Sequence, residues 1–510
     1  MTLPPSENLE KLRGKSGAIT FGLIGYLFLV EIVSGILQGY YVPLISDLVK
    51  YLHIKDAEFN WFEAAQLLLS ALVVPILAKL GDMFGHKRIL LVSTVLTALA
   101  SWGLVFADNF TLFIVAWALQ GFYVVWLPLE VALIFDRGRR TGHGASRTRR
   151  AAGFLVVALE AGAIVGALLG GRVFGWFDQN VPLTLAIPAI AVTLVFFAIL
   201  FGVPESTPVP GRSLDVVGFS ILTIGLLLIT SGLTFLRLNG PGTWWVYILI
   251  VAGLLVFVPF GRYELKQEDP AIDLRVLRQP NMWPVQLTAG LIGISLLGAQ
   301  APLSAYAGTD PSNGYGLGLA AGDRSTLIGV YLISMIAGAL LFPVASKRTS
   351  PRVALIVAAS LVAIGYLLFV PFHLATWEVF MNMVIAGVGS GALVGAMPAA
   401  AAAAAPRGQT GIAAALTNTT KTIGGSFASA IFGIVLAMGV ATVAVSTASS
   451  LSGYLTVWIV CGAGALVAAV LLFFVPKLAF ADVADAEPGV LEIPVSPSSP
   501  QARDWTHGPA

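Results

Sequence analysis

Long apolar runs alternate with short polar segments along nearly the whole chain. A helix that crosses a bilayer needs about 20 apolar residues, and fourteen runs reach roughly that length. The pattern therefore predicts an all-α polytopic membrane protein with fourteen transmembrane helices. The runs cover residues 17–46, 59–80, 89–107, 111–135, 151–174, 182–203, 214–236, 243–262, 283–306, 325–345, 352–372, 376–400, 410–440 and 453–476.

Charged residues are too scarce for a water-soluble protein of this size. They make up 11% of the 510 residues, whereas a soluble domain carries about 25%. Hydrophobic residues account for 57%, so lipid is expected to be the main solvent of the surface. The net charge of +2 is small, and the Lys and Arg residues lie in short loops, which argues against a nucleic-acid partner.

Positive charges are concentrated in every second loop. Cytoplasmic loops of membrane proteins carry an excess of Lys and Arg, so this bias places both termini in the cytoplasm and requires an even number of helices. We expect a multi-pass protein of the cell membrane. The positive residues are Lys11, Arg13, Lys15, Lys87, Arg88, Arg137, Arg139, Arg140, Arg147, Arg149, Arg150, Arg262, Lys266, Arg275, Arg278, Lys347, Arg348 and Arg352.

A short polar loop, residues 78–88, joins the second and third predicted helices. It contains Asp82, Gly85, Lys87 and Arg88, and it resembles the loop between the second and third helices of major facilitator superfamily transporters. That resemblance implies a conformational switch, in which Asp82 pairs with a basic residue or a helix N-terminus of the neighbouring bundle in one state only. The alternative is a solvated loop whose positive charges serve only the topology.

The fifth predicted helix carries four glycines, Gly162, Gly166, Gly170 and Gly171. Small residues four apart let helices approach closely, and the segment resembles the antiporter motif of drug exporters. Ala167 stands where that motif has a proline, so a smaller kink is expected and the implied export direction is weakened. The alternative is an ordinary close-packing face.

Further motifs resemble the fourteen-span drug:proton antiporter family. The resemblance implies two six-helix bundles with two inserted helices between them, and substrate and proton sites in a central cavity near the bilayer midplane. The motif segments are 214–218, 263–265, 270–275, 411–418 and 421–425. The implied divisions are an N-terminal bundle (17–203), the inserted helices (214–262) and a C-terminal bundle (283–476). The loop charges place the N-terminus (1–16) in the cytoplasm, and the Pro-rich, polar composition of residues 477–510 predicts a disordered cytoplasmic tail.

One residue departs from the family's pattern. The fourth helix of the family has an Arg three residues before Gln-Gly, and this chain has Trp117 there. In that family the Arg is associated with proton transfer, so coupling in this chain must be built differently or is absent. Trp117 would either stack on an aromatic or cationic substrate or pack against neighbouring helices.

Three carboxyl groups lie within the predicted helices, those of Glu31, Glu130 and Glu160. A charge at the bilayer centre costs about 2.5–3.5 kcal/mol on insertion scales, and burial favours the neutral, protonated form of a carboxyl group. The three are therefore proton-coupling candidates. The first and fourth helices line the cavity in the related fold, so Glu31 and Glu130 are expected to face each other across it. The alternative for each is a structural hydrogen bond to a neighbouring helix.

Polar and aromatic side chains of several helices are candidates for lining the substrate cavity. Lys421 in the thirteenth helix either snorkels to the cytoplasmic surface, which we prefer, or pairs with an acid. The longest loop on the opposite side, residues 307–324, is rich in Gly and is predicted to be flexible. The cavity candidates are Gln38, Tyr41, Trp117, Tyr123, Trp126 and Asn382.

No motif for enzyme chemistry is recognisable in the chain. It lacks the Gly-x-x-x-x-Gly-Lys-Ser/Thr phosphate loop, and its five histidines form no metal-binding pattern. We expect no enzymatic activity, no cofactor and no metal, with the proton gradient as energy source. The expected function is export of amphipathic drugs or natural products by proton antiport, through alternating access in a monomer. The alternatives are a proton-independent facilitator or lipid or metabolite exporter of the same fold, and a transporter-like receptor or scaffold.

Overall fold

The computed structural model describes residues 21–140, 145–208, 213–267, 270–280, 282–404, 410–438 and 448–474. The predictions for the N-terminal residues 1–16 and for the tail 477–510 lie outside the described residues.

Polar capping residues define where several of the helices begin. The side chains of Asn109, Asn180, Ser350 and Ser450 each accept a hydrogen bond from the first turn of the helix that follows, which satisfies a backbone donor there. In chain order the helices are α1 (Phe21–Gly39), α2 (Ile45–Tyr51), α3 (Asp56–Phe84), α4 (His86–Phe106), α5 (Phe110–Gln120), α6 (Trp126–Arg140), α7 (Ala145–Trp176), α8 (Val181–Gly202), α9 (Val216–Asn239), α10 (Trp244–Glu264), α11 (Leu274–Leu277), α12 (Trp283–Gly293), α13 (Gln300–Gly308), α14 (Ala321–Arg348), α15 (Pro351–Leu368), α16 (Thr376–Ala404), α17 (Thr410–Met438) and α18 (Leu451–Phe473).

Fourteen helical segments of the described chain are long and apolar enough to cross a membrane. The prediction of an all-α protein with fourteen spans is therefore confirmed. Three of the spans consist of two α-helices joined by a short 3₁₀ or π-helical turn, namely α1 with α2, α5 with α6, and α12 with α13. In the last of these the joint is a π-helical turn, Ile294–Gly298, which locally shifts the hydrogen-bond register of the span.

The same kind of close contact occurs in both halves of the chain. In the first half, α1–α8, helix α1 packs on α7, and in the second half, α12–α18, helix α12 packs on α17. A side chain at Gly293 or Gly424 would collide with the backbone of the other helix, at Lys421 and Gly290 respectively. Small residues thus bring the first and fifth spans of the second half into backbone contact.

Helices α9 and α10 form a hairpin between the two halves in sequence. Gly232 and Gly253 let the hairpin close tightly, because a side chain at either position would meet the partner helix. Its inner side packs against α3 through an apolar cluster that includes Leu68, Leu222 and Phe260. The other side of α10 carries large exposed apolar side chains, as expected for a surface that faces lipid.

Two long helix pairs join the halves, α3 with α17 and α7 with α14. The Ser426 hydroxyl donates to the Ala64 carbonyl over 2.9 Å, and the Gly171 N–H donates to the Ser325 hydroxyl over 2.9 Å. Because successive spans run in opposite directions, the turns lie at two ends of the molecule. We name these ends the Asp47 end, which holds the turn between α2 and α3, and the His86 end, which holds the turn between α3 and α4.

Polar contacts hold the two halves together at the Asp47 end. Arg324 at the start of α14 is only 3% exposed in its side chain and forms an ion pair with Asp47 of α2. The Ser304 hydroxyl of α13 donates to the Val42 carbonyl, which lies between α1 and α2. Both contacts cross from one half to the other, so the molecule is closed at this end.

The segment between α13 and α14 differs from the flexible loop that its glycines predict. The N–H groups of Gly318 and Leu319 donate to the carbonyls of Thr309 and Ala307, over 2.8 Å and 2.9 Å. The Tyr315 hydroxyl donates to a backbone carbonyl just before α18. The hydrogen-bond partners of this segment lie across a turn or far away in the sequence, so its glycine content does not predict these bonds.

Candidate functional site

The glycines of α7 fix the distance between α7 and two neighbouring helices. A Cβ atom at Gly162 or Gly166 would meet the backbone of α1, and one at Gly170 would meet the backbone of Tyr40 just after α1, so these positions allow direct contact with that span. Gly171 faces the other way, and a Cβ atom there would meet the backbone of α14 in the second half. Three of the predicted motif glycines therefore serve packing within the first half, and the fourth serves packing between the halves.

Helix α1, held in this position, carries Glu31 into the interior of the first half beside Glu130 of α6. Both residues are fully buried, and their carboxyl groups lie close enough to interact directly. The structure thus brings together two of the three predicted proton-coupling residues. They touch each other within the first half and are not separated by an open cavity.

Among the described residues, the two carboxyl groups have no hydrogen-bond donor of normal geometry. The Ser34 hydroxyl lies close to Glu31, yet none of the four carboxyl oxygens receives a bond of normal hydrogen-bond geometry from any described residue. Two ionised carboxylates at this place would repel each other and would lack solvation. One proton between them supplies the missing donor and creates a charge-assisted hydrogen bond. The arrangement is therefore suited to holding and releasing a proton.

Aromatic side chains surround Trp117 on α5. Its ring centroid lies 5.1 Å from that of Tyr41, 5.2 Å from that of Phe59 and 5.6 Å from that of Phe113. Trp117 is only 2% exposed, so its contacts are those of the packing alternative and leave no free face for stacking. Tyr41 is fixed in turn by Gln120, whose amide donates to the Tyr41 hydroxyl over 2.8 Å.

The remaining cavity candidates lie in three different environments. Tyr123 and Trp126 are buried with their rings 6.3 Å apart, and Tyr123 is within electrostatic reach of Glu31. Gln38 lies two turns after Glu31 on the same face of α1, and its side chain is exposed. Asn382 lies apart from these, toward the Asp47 end, where its amide donates over 2.7 Å to a backbone carbonyl of the turn before α16. In the structure, Asn382 therefore stabilises that turn.

Glu160 does not join the carboxyl pair. It lies on α7 at the interface between the halves, where the ammonium group of Lys421 on α17 acts on it electrostatically. Both side chains are half-buried. The structure therefore places Lys421 within electrostatic reach of an acid of the other half, without an ion pair between the two residues.

The loop between α3 and α4 consists of Gly85 alone. Its φ angle is 104°, a conformation that favours glycine. The start of α4 docks on Glu205, which follows α8: the Lys87 N–H donates to the carboxylate over 2.9 Å, and Arg88 Nε lies 3.7 Å from it. Asp82 lies 3.3 Å from the imidazole of the first residue of α4. These described contacts of the predicted switch residues all lie within the first half.

Comparison with known proteins assigns the chain to a family. The sequence profile of the Major Facilitator Superfamily matches residues 27–429, which is most of the chain. The protein belongs to the Major Facilitator Superfamily. It is 25% identical over 404 residues to the uncharacterized MFS-type transporter YfiU of Bacillus subtilis, with 77% of this chain and 74% of the relative aligned.

Two further relatives of this transporter carry more specific names. The probable actinorhodin transporter of Streptomyces coelicolor is 24% identical over 427 residues, covering 79% of this chain and 70% of the relative. A multidrug resistance protein B homolog of Mycobacterium tuberculosis is 24% identical over 394 residues, covering 75% and 69%.

Solved transporter structures share the fold of this chain. The nucleoside transporter NupG superposes with a TM-score of 0.59 at 13% identity, covering 88% of this chain and 98% of that structure. The peptide transporter POT in complex with sulfate gives a TM-score of 0.60 at 17% identity, covering 90% and 95%. The predicted major facilitator fold is confirmed. This transporter is a multi-pass membrane protein, and its relatives carry small molecules and are not enzymes.

Sequence reasoning missed the charges that the transporter places between its halves at the Asp47 end. Asp47 and Arg324 each lie at the edge of an apolar run, where a charged residue is ordinarily solvated. Arg324 also lies on the side of the topology that has few positive charges. That departure from the charge bias is the one local signal that could have singled it out.

Proposed function

We propose that this transporter exports amphipathic small molecules in exchange for protons, by alternating access. The observation that carries the proposal is the contact between Glu31 and Glu130, whose four buried oxygens lack a donor until a proton is bound. The proton gradient would be the sole energy source, with no cofactor, and the monomer would be the working unit.

The coupling step would be a change in the charge of the carboxyl pair. With one shared proton the pair of Glu31 and Glu130 carries a single negative charge, and without the proton it carries two. Loss of the proton raises the cost of keeping the pair buried and favours a conformation that brings water or a cationic substrate to it. Protons and substrate would then alternate, because each favours a different arrangement of the two halves.

The orientation follows from the loop charges. We assign the His86 end, where Lys and Arg are abundant, to the cytoplasm, with both termini on that side of the cell membrane. The Asp47 end then faces outward, and the contacts of Arg324 with Asp47 belong to an outward-closed state. Release of substrate to the outside requires this ion pair to separate.

The substrate class is supported by the relatives and by the interface between the halves. The names of two relatives refer to actinorhodin transport and to multidrug resistance. Glu160 and Lys421 supply opposite charges at the interface between the halves. Such an interface suits compounds that combine a large apolar surface with a few polar or charged groups.

A proton-independent facilitator, or a lipid or metabolite exporter of the same fold, is the second candidate. It is favoured by Trp117, which is packed among aromatic rings at the position of the family's Arg. It is also favoured by Ala167, which is fully buried at the position of the motif's proline.

Transport in proteoliposomes under an imposed pH gradient distinguishes the two candidates. With ethidium as the amphipathic probe, the parent protein is expected to accumulate the probe against its gradient and to stop when a protonophore is added. Glu31→Gln and Glu130→Gln are each expected to abolish accumulation, while Asp108→Asn, which removes an exposed carboxylate, keeps it. Movement of ethidium that ignores the pH gradient would select the facilitator.

A further inference from the structure

A second pair of buried carboxyl groups lies at the His86 end of the inserted hairpin. Asp215 immediately precedes α9, and Glu264 is the last residue of α10. The two residues are 9% and 1% exposed. Neither takes part in the contact between Glu31 and Glu130, so the pair needs an explanation of its own.

One oxygen of each carboxyl group is engaged by donors. Asp215 Oδ1 accepts the N–H of Gly218 over 2.8 Å and the hydroxyl of Tyr263 over 3.1 Å. Glu264 Oε2 accepts the N–H of Ile272 over 3.3 Å. These bonds fix both carboxyl groups in place and connect α10 to the segment that follows it.

The other two oxygens converge on the same point. Asp215 Oδ2 and Glu264 Oε1 are buried and receive no hydrogen bond from the described residues. A Cβ atom added at Gly218 would meet both of these oxygens. The missing side chain of Gly218 thus leaves the space in which two partnerless carboxyl oxygens face each other.

No positively charged group of the described residues is among those that act on Glu264 or Tyr263. Within the described chain, the ionisable groups that act on Glu264 and Tyr263 belong to this cluster itself, with Asp215 as the third member. The helices α3 and α17 present apolar side chains, Leu72 and Phe427, to the neighbouring cluster. Residues 268 and 269 lie outside the described part.

Lys79 of α3 contacts the segment that follows Glu264. Its ammonium group donates to the Pro270 carbonyl over 3.3 Å, and it is absent from the charges that act on Glu264. The segment is therefore held by α3 on one side and by Glu264 on the other.

We propose that Asp215 and Glu264 form a proton-binding site that holds one proton between Oδ2 and Oε1. Two anions facing each other in an apolar place are unfavourable, whereas a single proton converts the contact into a short, charge-assisted hydrogen bond. A metal ion fits the site poorly, because Ca²⁺ takes about 6–8 oxygen ligands and the described residues offer only two free oxygens here.

The proton also fastens a connection between the halves. Residues 270–278 belong to the link between the hairpin and α12, and Ile272 binds Glu264 within it. Loss of the shared proton drives the two carboxylates apart and withdraws Glu264 from Ile272. The site thus makes the attachment of this link dependent on pH. This inference stands apart from the proposed function, since it involves neither Glu31 nor Glu130.

Infrared difference spectroscopy of the full-length, reconstituted protein tests the site. Changing the pH is expected to titrate a carboxylic-acid C=O band that both Glu264→Gln and Asp215→Asn lack. Asp273→Asn, which removes a carboxylate bound to its neighbour Arg275 in the same segment, keeps the band. The proposal is overturned if the band survives in both site variants, or if Na⁺, Mg²⁺ or Ca²⁺ removes it at constant pH.

Thiol labelling tests the consequence for the link. The only cysteine of the sequence, Cys461, is buried, and Cys461→Ala removes it. In this background a single cysteine is introduced at one of two exposed positions. Arg278→Cys reports on the link, and Lys347→Cys is the reference. The ratio of their maleimide labelling rates is expected to rise several-fold with pH. Adding Glu264→Gln should keep the ratio low at every pH, because the side-chain amide of the glutamine can donate a hydrogen bond to Asp215 regardless of pH. An equal pH response in both backgrounds would overturn the proposed fastening.

Discussion

The guanidinium group of Arg324 on α14 forms an ion pair with the carboxylate of Asp47 on α2, and this contact joins the two halves of the transporter at one end. A second polar contact lies nearby, where the Tyr454 hydroxyl of α18 donates to Asp56 of α3 over 3.4 Å. Asp56 also acts electrostatically on Arg324. One buried cation of the second half is therefore held between two acids of the first half.

Breaking this ion pair should open the Asp47 end, and the two partners should differ in effect. The Arg324 side chain is 3% exposed and that of Asp47 is 19% exposed, so Asp47→Asn leaves the more buried charge without its partner. We expect a cost to the closed state of at most about 3 kcal/mol, the low end of the range for a broken buried pair, because Asp56 still acts on Arg324. Arg324→Gln should cost less.

Spin labels at Lys50 and Ser312 measure this opening. Both positions are exposed, and they belong to the first and second halves at the Asp47 end. The distance distribution should shift to longer values most in Asp47→Asn and less in Arg324→Gln, with the double variant near the parent. Equal distributions in all four proteins would mean that the ion pair does not hold the halves together.

The glycine contact between α1 and α7 should be intolerant of a single methyl group. A Cβ atom at Gly162 would meet the backbone of α1, whereas nothing lies within 4 Å of a Cβ atom at Gly175 of the same helix. Gly162→Ala is expected to destabilise the protein by about 1–3 kcal/mol, as overpacking does. Gly175→Ala should be neutral or slightly stabilising, since Ala favours helix. Thermal unfolding in detergent compares the two, and equal melting temperatures would contradict the packing described here.

The charges of Glu160 and Lys421 should set the preference of the transporter for charged probes. Lys421→Gln removes a positive charge from the interface and is expected to tighten ethidium binding, by on the order of 1 kcal/mol or roughly fivefold in Kd. Glu160→Gln should weaken binding by a similar factor. Lys347→Gln, which removes an exposed Lys at the His86 end, is the control. Identical affinities in all variants would place both charges outside the path of the probe.

The fold could be predicted to a large extent because apolar run length is a local property. The predicted run 182–203, for example, differs by one residue at each end from the helix Val181–Gly202. The π-helical turn Ile294–Gly298 that interrupts the ninth span could not be predicted, since hydropathy does not depend on the hydrogen-bond register.

The candidate site could be predicted only in part. Glu31 and Glu130 are recognisable because a carboxyl group in the middle of an apolar run is costly. Asp215 and Glu264 lie at the ends of such runs, where the same argument predicts a solvated residue, and only the closure of the hairpin brings them together. Likewise the placement of Lys421 near Glu160 depends on how the two halves dock, which the local sequence does not indicate.

The most direct test measures the protons that the purified protein releases when a probe binds. It shows whether the contact between Glu31 and Glu130 couples proton release to substrate binding. An amphipathic probe that responds to the pH gradient in proteoliposomes is added in weak buffer while a pH indicator is followed. The parent is expected to release about one proton per bound probe, since the coupled pair holds a single proton. Glu31→Gln is expected to bind the probe and release none. Equal proton release by the parent, Glu31→Gln and Glu130→Gln would contradict the proposed coupling.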